Sequence, residues 1–508
     1  MHKNLKPVKR FSALNKKSYL TLFLFVTCLS FFPSTLSFSS PAPDLPELGQ
    51  SGASLSPKQE KEIGQEVLGE IRRYLNFESD AYIQDYIQSI GQKLVSTHTQ
   101  VMDYTFFVIQ DHRINAFALP GGYIGINTGL ILHSDSESEL ASVIAHEVSH
   151  VRLRHIARLY EHANKVQLST IVGMLAAVIL ATQSPEAAQG ALAVTMAGST
   201  QSMINFTREN EKEADQEGLQ ALARAGFDPK GMSNFFQKLL EGNRFQDINS
   251  APEFLRTHPL TESRIQSALF HAKCYPYKQI TDSLVFHLVK AKLQYNQFSS
   301  AKQAEHYFEN HLKRGTYHNK IGMQYGYALS LIDQQAHEKA LALLKPLAEN
   351  YPNESAFQLA LANISLQSNQ PLEAIHRLEQ HLSELPQNRA TTLQLCDLLL
   401  SLHAEFPHRD YPAQAKKYLV GALKRYPKGD KSLLERLSRA YFLSGDLLDA
   451  HLSESKAREL NGEYIGAIIQ LKQAKKIAHL NSRQVSQLEA RIEELKQHLP
   501  ESQKGKIH

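Results

Sequence analysis

Apolar residues recur at helical spacing soon after the start of the chain. A helix is predicted from Ser56 and Pro57 onward, and a second stretch carries one apolar stripe: Tyr82, Ile83, Tyr86, Ile87, Ile90 and Leu94. Steps of three and four residues place such side chains on one face of an α-helix. The pattern then changes to aromatic and β-branched residues at 104–109. Asn115–Leu119 leads through Pro120-Gly121-Gly122 into 123–126, which predicts a small sheet with a tight turn.

The second half of the chain has a different pattern, which repeats. Small and apolar residues recur at set positions after 34, then 41, then 35 residues, beginning with Ala340, Ala374, Ala415 and Ala450. Periods near 34 residues are typical of tetratricopeptide repeats, which bury a continuous core only by stacking helix pairs. The sequence therefore predicts a mainly α-helical protein with a small β-sheet, ending in an α-solenoid from about 283 to 498. A generic helical bundle is the alternative.

Charge and composition exclude several classes of protein. The chain has 508 residues, with 42% hydrophobic and 21% charged residues, which is typical of globular domains. Its net charge of +4 comes from six cations in the first 17 residues, and the remainder holds 49 basic against 51 acidic residues. A nucleic-acid-binding protein would need a concentrated basic face, so none is predicted.

The cations at the start belong to an export signal. They precede an uncharged stretch at 19–32 and a small-residue segment that contains Ser37-x-Ser39, as in a secretory signal peptide at 1–39. An uncleaved anchor and lipidation at Cys28 are the alternatives. Residues 40–55 are rich in Pro, Ser and Gly and are predicted to be a linker. Cys274 and Cys396 remain afterwards, either as one disulfide or as two buried thiols.

The chemistry is carried by the sequence His146-Glu147-x-x-His150. Ser136 and Glu139 form a predicted capping box that starts a helix, with Leu140, Ile144, Val148 and Val151 as its buried face. The two histidines then lie one turn apart and can reach one zinc ion. Glu147 beside them is placed to take a proton from a water molecule at that ion.

A catalytic zinc site needs a third protein ligand. Glu211 and Asp215 lie one turn apart downstream. Glu211 is predicted to be that ligand. Asp215 is counted with the catalytic group because it is predicted to accept from a ligand imidazole and fix its tautomer. The alternative for each acid is a solvated helix face. These residues predict peptide-bond hydrolysis without a covalent intermediate.

Together with the Pro120-Gly121-Gly122 turn and the repeats, these motifs resemble the periplasmic β-barrel assembly-enhancing proteases, relatives of the CAAX prenyl and heat-shock zinc peptidases. The resemblance covers about 56–500 and implies a zinc metallopeptidase domain at 56–270 and a tetratricopeptide-repeat domain at 283–498. It implies one zinc ion on His146, His150 and Glu211.

The family resemblance also implies location and role. The protein is expected in the periplasm, in contact with the outer membrane at most peripherally, where it degrades stalled outer-membrane β-barrel precursors or assists their assembly. Its partners would be those precursors and, through the repeats, the outer-membrane assembly machinery. The alternative is a latent peptidase that acts mainly as a repeat-based chaperone or scaffold.

Two further features follow from the resemblance. His258 matches a histidine that occupies the open zinc position in the resting enzyme, so it is expected to be a latch that blocks this position. An isolated surface histidine is the alternative. Arg264, which follows nearby, could pair with a carboxylate, but the sequence assigns no partner to it. Asn115, Ala116, Phe117 and Ala118 are expected to form an edge strand that binds substrate as an added strand, with an internal strand as the alternative.

Two long uncharged stretches lie between the histidine pair and Glu211, at 166–185 and 187–207. Polar residues dilute both, so membrane-spanning helices are not favoured. The sequence leaves two interpretations open: helices that touch a membrane surface or cover the active-site cleft, and buried core helices.

Overall fold

The computed structural model describes the chain from residue 55 onward, with gaps. The described residues are 55–97, 102–162, 168–181, 200–244, 253–276, 278–477 and 480–499. The predicted signal peptide at 1–39, and all but the last residue of the predicted linker at 40–55, lie outside them.

Two helices precede the sheet, as the apolar pattern predicts. Helix α1 spans Pro57–Ile71, and the Ser56 hydroxyl accepts a hydrogen bond from the Gln59 amide at its N-terminus. Helix α2 spans Ala81–Val95 and buries the whole predicted stripe. Helix α1 therefore begins where the sequence predicts, and α2 buries the face that its apolar spacing predicts.

A three-stranded sheet follows these helices. Its strands are β1, Thr105–Ile109; β2, Ala116–Leu119; and β3, Tyr123–Asn127. Their order is β1-β3-β2, with β1 parallel and β2 antiparallel to β3. In the described sheet, β2 therefore lies at an edge, and its other side is free of a paired strand.

Helices make up the rest of the front half. In order they are α3, Thr128–His133; α4, Glu137–Arg152; α5, His155–His162; α6, Leu168–Ala181; α7, Thr200–Arg224; α8, Lys230–Arg244; α9, Glu253–Thr257; and α10, Glu262–Lys273. Helix α4 is central: it packs on α7, α8, α2 and β2. Nearly all its residues are consequently buried.

The second half consists of stacked helix pairs. They are α11, Leu284–Asn296; α12, Ala301–Arg314; α13, Lys320–Asp333; α14, His337–Asn350; α15, Ser355–Gln367; α16, Pro371–Glu384; α17, Arg389–Leu402; α18, Tyr411–Leu423; α19, Lys431–Leu443; α20, Leu447–Leu460; α21, Tyr464–Lys475; and α22, Ser482–Gln497. Ala340, Ala374, Ala415 and Ala450, which mark the predicted repeat, are all buried. The predicted fold class is confirmed.

The front half of the chain and the repeats share a hydrophobic core. One cluster of buried side chains runs from α2 through α4 to the repeat helices α13 and α15. Polar contacts cross the same boundary: Tyr82 donates to Glu354 at 2.8 Å, and Arg389 donates to Asp85 at 3.1 Å. The domain limits at 270 and 283 stay a prediction, and any such division leaves α2 in contact with both halves.

Part of the first uncharged stretch forms α6, which lies against α1. Val172, Ala176 and Ile179 are buried in a cluster with apolar residues of α1 and the sheet, whereas Val178 is 42% exposed. This part of the stretch fits the core interpretation. Residues 182–199 lie outside the described residues, and none of the helices that the structure describes is long and apolar enough to cross a bilayer.

The two remaining cysteines are unpaired. Cys274 is exposed and Cys396 is buried, and both are free thiols. Neither alternative left open by the sequence holds: the two cysteines form no disulfide, and they are not two buried thiols, because Cys274 lies at the surface after the end of α10. Burial raises the pKa of Cys396 to about 12, which keeps that thiol protonated and unreactive.

Candidate metal centre and active site

Helix α4 presents the histidine pair inside the protein. His146 and Glu147 are each 1% exposed. The predicted N-cap is confirmed, since the Ser136 hydroxyl accepts from the Glu139 amide at 3.2 Å. The capping box is incomplete, however: the Glu139 carboxylate accepts from the Asp135 amide at 2.9 Å and pairs with Lys238 at 2.8 Å instead of closing on Ser136. The Asp135 amide and the Lys238 ammonium group therefore replace the Ser136 amide as partners of the Glu139 carboxylate.

Helix α7 brings the downstream acids to the same place. Glu211 is 4% exposed and Asp215 is 7% exposed, so the alternative of a solvated helix face is excluded for both. The close approach of α7 to α4 depends on Gly218, where a Cβ atom would lie 3.1 Å from the backbone nitrogen of His146. A larger residue there would push the two helices apart and move the acids away from the histidines.

The donor atoms of four side chains converge on one point. His146 Nε2 lies 3.0 Å from His150 Nε2 and 3.4 Å from Glu211 Oε2, and His150 Nε2 lies 3.3 Å from Glu211 Oε1. His258 Nδ1 lies 3.3 Å from His146 Nε2 and 3.1 Å from Glu211 Oε1. One donor atom from each of these residues lies within 4.8 Å of the other three.

This cluster has the size of a tetrahedral metal site. Ligand atoms placed about 2.0–2.1 Å from a central ion are about 3.3 Å from one another, close to the separations found here. A second sign is the Glu147 carboxylate, whose Oε1 atom is buried without a hydrogen-bond partner among the described residues. Buried carboxylate oxygens are rarely left so, which indicates a missing water or ion. The residues present therefore fit a bound metal ion.

The electrostatics of the cluster also favour a cation. Burial disfavours a charged His146, but the nearby carboxylates of Asp215 and Glu211 outweigh this effect and raise its pKa to about 10. Burial alone would raise the pKa of Glu211, yet His258, His146 and His150 hold it well below its usual value. A pocket that keeps a proton on a buried imidazole this strongly has a surplus of negative potential, which a divalent cation would neutralise.

Two neighbouring groups titrate in the opposite sense. Burial, together with the charge on His146, lowers the pKa of His150 to about 3, so its imidazole is neutral and available as a ligand. Burial raises the pKa of Glu147, which makes it a better proton acceptor than an exposed glutamate.

Arg264 occupies the far side of the two acids. Its Nε and Nη2 atoms donate to the two Asp215 carboxylate oxygens at 2.7 and 2.8 Å, and Nη1 lies 2.9 Å from Glu211 Oε2. The side chain is 3% exposed, so this is a fully buried, bidentate ion pair. Sequence reasoning left Arg264 without a partner because the pairing depends on how α10 meets α7.

Asp215 lies against the other nitrogen of His146. Its Oδ1 atom is 3.0 Å from His146 Nδ1, although that N–H does not point straight at the oxygen. The contact leaves His146 Nε2 to face the cluster, as the sequence-based role for Asp215 requires. This approach fits the predicted role of Asp215 as a positioning group for His146, and that role stays a prediction.

His258 enters the cluster from the short segment after α9. It is 8% exposed, which excludes a surface histidine, and its ring stacks on Phe254 with centroids 4.7 Å apart. Its Nε2 atom lies 3.4 Å from Glu147 Oε1. One side chain thus contacts both the ligand cluster and the residue expected to act as the base.

The edge strand β2 runs beside the cluster. A small groove is lined by Ala118, Leu119, Pro120, His150 and Val151, among others. Asn127 donates to the Asn115 carbonyl, so Asn115, Phe117 and Leu119 are hydrogen-bonded to β3. By alternation, the backbone groups of Ala116 and Ala118 point away from β3; Ala118 is partly exposed, whereas Ala116 is fully buried.

Sequence reasoning missed His155, which contacts His150 directly. The two Nδ1 atoms are 2.8 Å apart. A signal existed in the sequence, because His155 follows the last histidine of the motif by five residues. Helical spacing argued against a contact, since residues five apart on one helix do not face each other.

Comparison with known proteins gives four consistent results. The model of peptidase family M48 matches residues 78–270. The beta-barrel assembly-enhancing protease of Escherichia coli is 33% identical over 492 residues, covering 96% of this chain and 98% of that protein. The protein of the same name from Yersinia pestis is 34% identical over 463 residues, covering 90% of this chain and 92% of that protein. The mitochondrial metalloendopeptidase OMA1 of Arabidopsis thaliana is 31% identical over 171 residues, covering 33% of this chain and 32% of that protein.

Proposed function

Because the chain belongs to the beta-barrel assembly-enhancing proteases of peptidase family M48, and is therefore a metalloendopeptidase, we propose that it cleaves unfolded outer-membrane β-barrel precursors with one zinc ion. The observation that carries this proposal is the convergence of His146, His150 and Glu211 beside the buried carboxylate of Glu147, whose Oε1 atom has no hydrogen bond among the described residues. Two imidazoles and one carboxylate form a donor set that suits zinc in hydrolytic sites.

The residues of the site divide the reaction between them. A bound zinc ion supplies polarisation of the scissile carbonyl and a lowered pKa for water, toward about 7. Glu147 accepts the proton of the attacking water and returns it to the leaving amine. Asp215 holds His146 in the tautomer that leaves Nε2 free, and Arg264 holds Asp215 and Glu211 ionised.

The free side of β2 provides a way to hold an extended substrate. A peptide added there would use main-chain hydrogen bonds to Ala118, the partly exposed residue of β2, and such bonds do not depend on the peptide's sequence. The groove beside Ala118 reaches His150, so the added strand would pass the proposed metal. Unfolded strands of a β-barrel are extended and apolar on one face, and they suit such an edge.

The edge-strand proposal predicts the effect of a proline at Ala118. Ala118→Pro removes an outward N–H without breaking the hydrogen bonds between β2 and β3, and proline is tolerated at such edge positions. The expected result is a fall in kcat/KM of about tenfold, equivalent to one lost hydrogen bond. Ala118→Val keeps the N–H and is the control. Equal rates for the two variants in a peptide assay would remove β2 from substrate binding.

His258 is proposed as a latch that keeps the enzyme at rest. Its Nδ1 atom lies among the ligand atoms and its Nε2 atom faces Glu147, so it occupies the space that a water and a substrate carbonyl need. A fourth protein ligand turns a catalytic site into a closed one. The latch must therefore leave for hydrolysis to proceed.

Removing the latch is expected to raise activity. His258→Ala in excess zinc should increase the rate of peptide cleavage by about tenfold, which corresponds to a latch closed about nine-tenths of the time. His271→Ala, on helix α10, is the control and should leave the rate unchanged. A loss of activity in His258→Ala would mean that His258 serves catalysis and does not block it.

The remaining assignments follow the family and the motifs. The chain is proposed to act in the periplasm after removal of residues 1–39, at most peripheral to the outer membrane. The stacked helix pairs of 283–498 are proposed to dock on the outer-membrane assembly machinery, since such solenoids commonly bind proteins. Degradation of stalled precursors and assistance to their assembly would then be two outcomes of one encounter.

The test of this function compares two states of one substrate. Purified chain with zinc is incubated with an outer-membrane β-barrel protein, either unfolded or folded in detergent, and products are followed on gels. We expect cleavage of the unfolded form alone, and its loss when a chelator removes the metal. Chelator-insensitive cleavage, or an unfolded barrel that stays intact with the His258→Ala variant, would contradict the proposal.

The contact of His258 with Glu147 also favours a second function. A peptidase latched in this way would act mainly through its repeats, as a chaperone or scaffold. The same experiment separates the two: protection of an unfolded barrel from aggregation by a Glu147→Gln chain, without any defect in assembly, would assign the main role to the repeats.

A further inference from the structure

The turn after α4 brings a third histidine back to the metal cluster. Arg154 has φ 54°, a left-handed conformation that is uncommon for residues other than glycine. Its side chain holds this turn in place by donating to Glu60 at 3.1 Å and to the Leu55 carbonyl. The reversal places His155, the first residue of α5, directly behind His150.

His155 links His150 to a charged pair at the surface. His155 Nδ1 lies 2.8 Å from His150 Nδ1, and His155 Nε2 lies 3.3 Å from Glu213 Oε2. Arg158 donates to the same Glu213 oxygen at 2.6 Å. His155 is 4% exposed, whereas the side chains of Glu213 and Arg158 are 44% and 37% exposed.

These contacts determine which nitrogen carries each proton. His150 Nε2 faces Glu211 and His146, so as a ligand it must offer a lone pair there and carry its proton on Nδ1. Among the described residues, the acceptor for that proton is His155 Nδ1, which leaves the proton of His155 on Nε2, facing the Glu213 carboxylate. Arg158 keeps Glu213 in place as the acceptor at the end of this chain.

From this geometry we infer that His155, anchored by Glu213 and Arg158, is the positioning residue that fixes His150 as a metal ligand. It performs for His150 the task that Asp215 performs for His146. Without it, the Nδ1–H group of His150 loses its acceptor, or the imidazole changes tautomer and turns its N–H toward the metal. The inference rests on the proposed ligand role of His150.

Zinc affinity of the purified full-length chain is the direct test, measured by competition with a chromophoric chelator. His155→Leu keeps the volume of the side chain but removes the acceptor, and should weaken zinc binding by about 10–100-fold. His155→Asn places an oxygen where His155 Nδ1 lies, and should restore most of the affinity. Glu213→Gln should weaken binding less than His155→Leu, because the link is altered one step further away.

Arg152→Met is the matched control for these variants. Arg152 pairs with Glu217 at 2.6 Å and, like Arg158 with Glu213, joins the α4–α5 segment to α7 without contacting a histidine. The zinc affinity of the Arg152→Met variant should stay within about twofold of wild type, as expected for the loss of an ion pair outside the site. Retained affinity in His155→Leu, or equal loss in His155→Leu and His155→Asn, would overturn the inference. If His155→Leu fails to fold, unchanged affinity in Glu213→Gln would do so.

The outcomes also separate this inference from the function it rests on. A wild-type chain that binds no zinc would contradict the proposed metal centre itself. A wild-type chain that binds one zinc ion, with His155→Leu binding it equally well, would leave the metal centre intact and remove His155 from it.

Discussion

Glu147→Gln is expected to reduce peptide hydrolysis by about 10²–10⁴-fold while leaving the fold and the metal in place. The glutamine amide has the same shape as the carboxylate but cannot accept a proton from water. Glu147 is 1% exposed, and burial raises its pKa, so its carboxylate is more basic than that of an exposed glutamate. Its Oε1 atom has no hydrogen bond among the described residues, so the substitution breaks none at that atom.

Initial rates of peptide cleavage, with metal content determined on the same samples, measure this effect. Glu139→Gln is a matched control, because it makes the same change in the same helix at a residue of 5% exposure that pairs with Lys238. The control should retain most of its activity. A Glu147→Gln chain that keeps its metal and more than about a tenth of the wild-type rate would show that another group is the base.

Arg264→Met is expected to have the largest effect on stability. Removing the guanidinium leaves the buried Glu211 and Asp215 carboxylates without their cation, and breaking such a buried pair costs about 3–5 kcal/mol in the free energy of unfolding. The metal-free chain is the sample of choice, because a bound ion would partly replace the lost charge. Urea denaturation at neutral pH measures the difference.

The pH dependence of this difference has a defined sign. Burial disfavours ionised Asp215, but Arg264 and His146 outweigh this effect and lower its pKa in the folded protein. A lowered folded-state pKa stabilises the protein above the usual value of 3.8 and loses that effect as pH falls through the folded-state pKa. The gap between wild type and Arg264→Met should therefore be full at pH 7 and shrink below about pH 4.

Arg436→Met is the control for this experiment. Arg436 donates to Asp397 at 2.7 Å within the repeats, but Asp397 is 47% exposed, so solvent can replace the lost partner. The expected loss is below about 1 kcal/mol. Equal losses for the two arginine variants, or a gap for Arg264→Met that does not change with pH, would contradict the buried ion pair.

The sequence predicted the parts of the site that depend on local periodicity. One turn of helix separates His146 from His150 and Glu211 from Asp215, and both pairs point inward because they lie on the faces by which α4 and α7 pack together. The order of the three strands and the position of β2 could be guessed only from the family, since pairing of short strands depends on what the helices cover.

Three features of the structure, two of them in the site, could not be predicted because they depend on turns and on helix packing. The contact of Arg264 with Asp215 requires α10 to lie beside α7. His155 reaches His150 only because Arg154 adopts a left-handed conformation, which no sequence pattern marks. The exposure of Cys274 follows from the end of α10 at the surface.

The relation between the two halves was also beyond the sequence. Repeat periodicity identified 283–498 as a solenoid but gave no sign that α2 lies against it. Tyr82 and Asp85, which belong to the front half, find their partners Glu354 and Arg389 in the repeats. Amphipathic helices that serve two neighbours look the same in sequence as helices that serve one.

The position of the metal ion is the most direct test of the account. Diffraction from crystals of the zinc-loaded chain, recorded on both sides of the zinc absorption edge, would locate the ion without assumptions about ligands. The account predicts one anomalous peak about 2.0–2.2 Å from donor atoms of His146, His150 and Glu211, with His258 or water in the fourth position. A zinc peak elsewhere, or a fully loaded crystal with no peak among these residues, would contradict it.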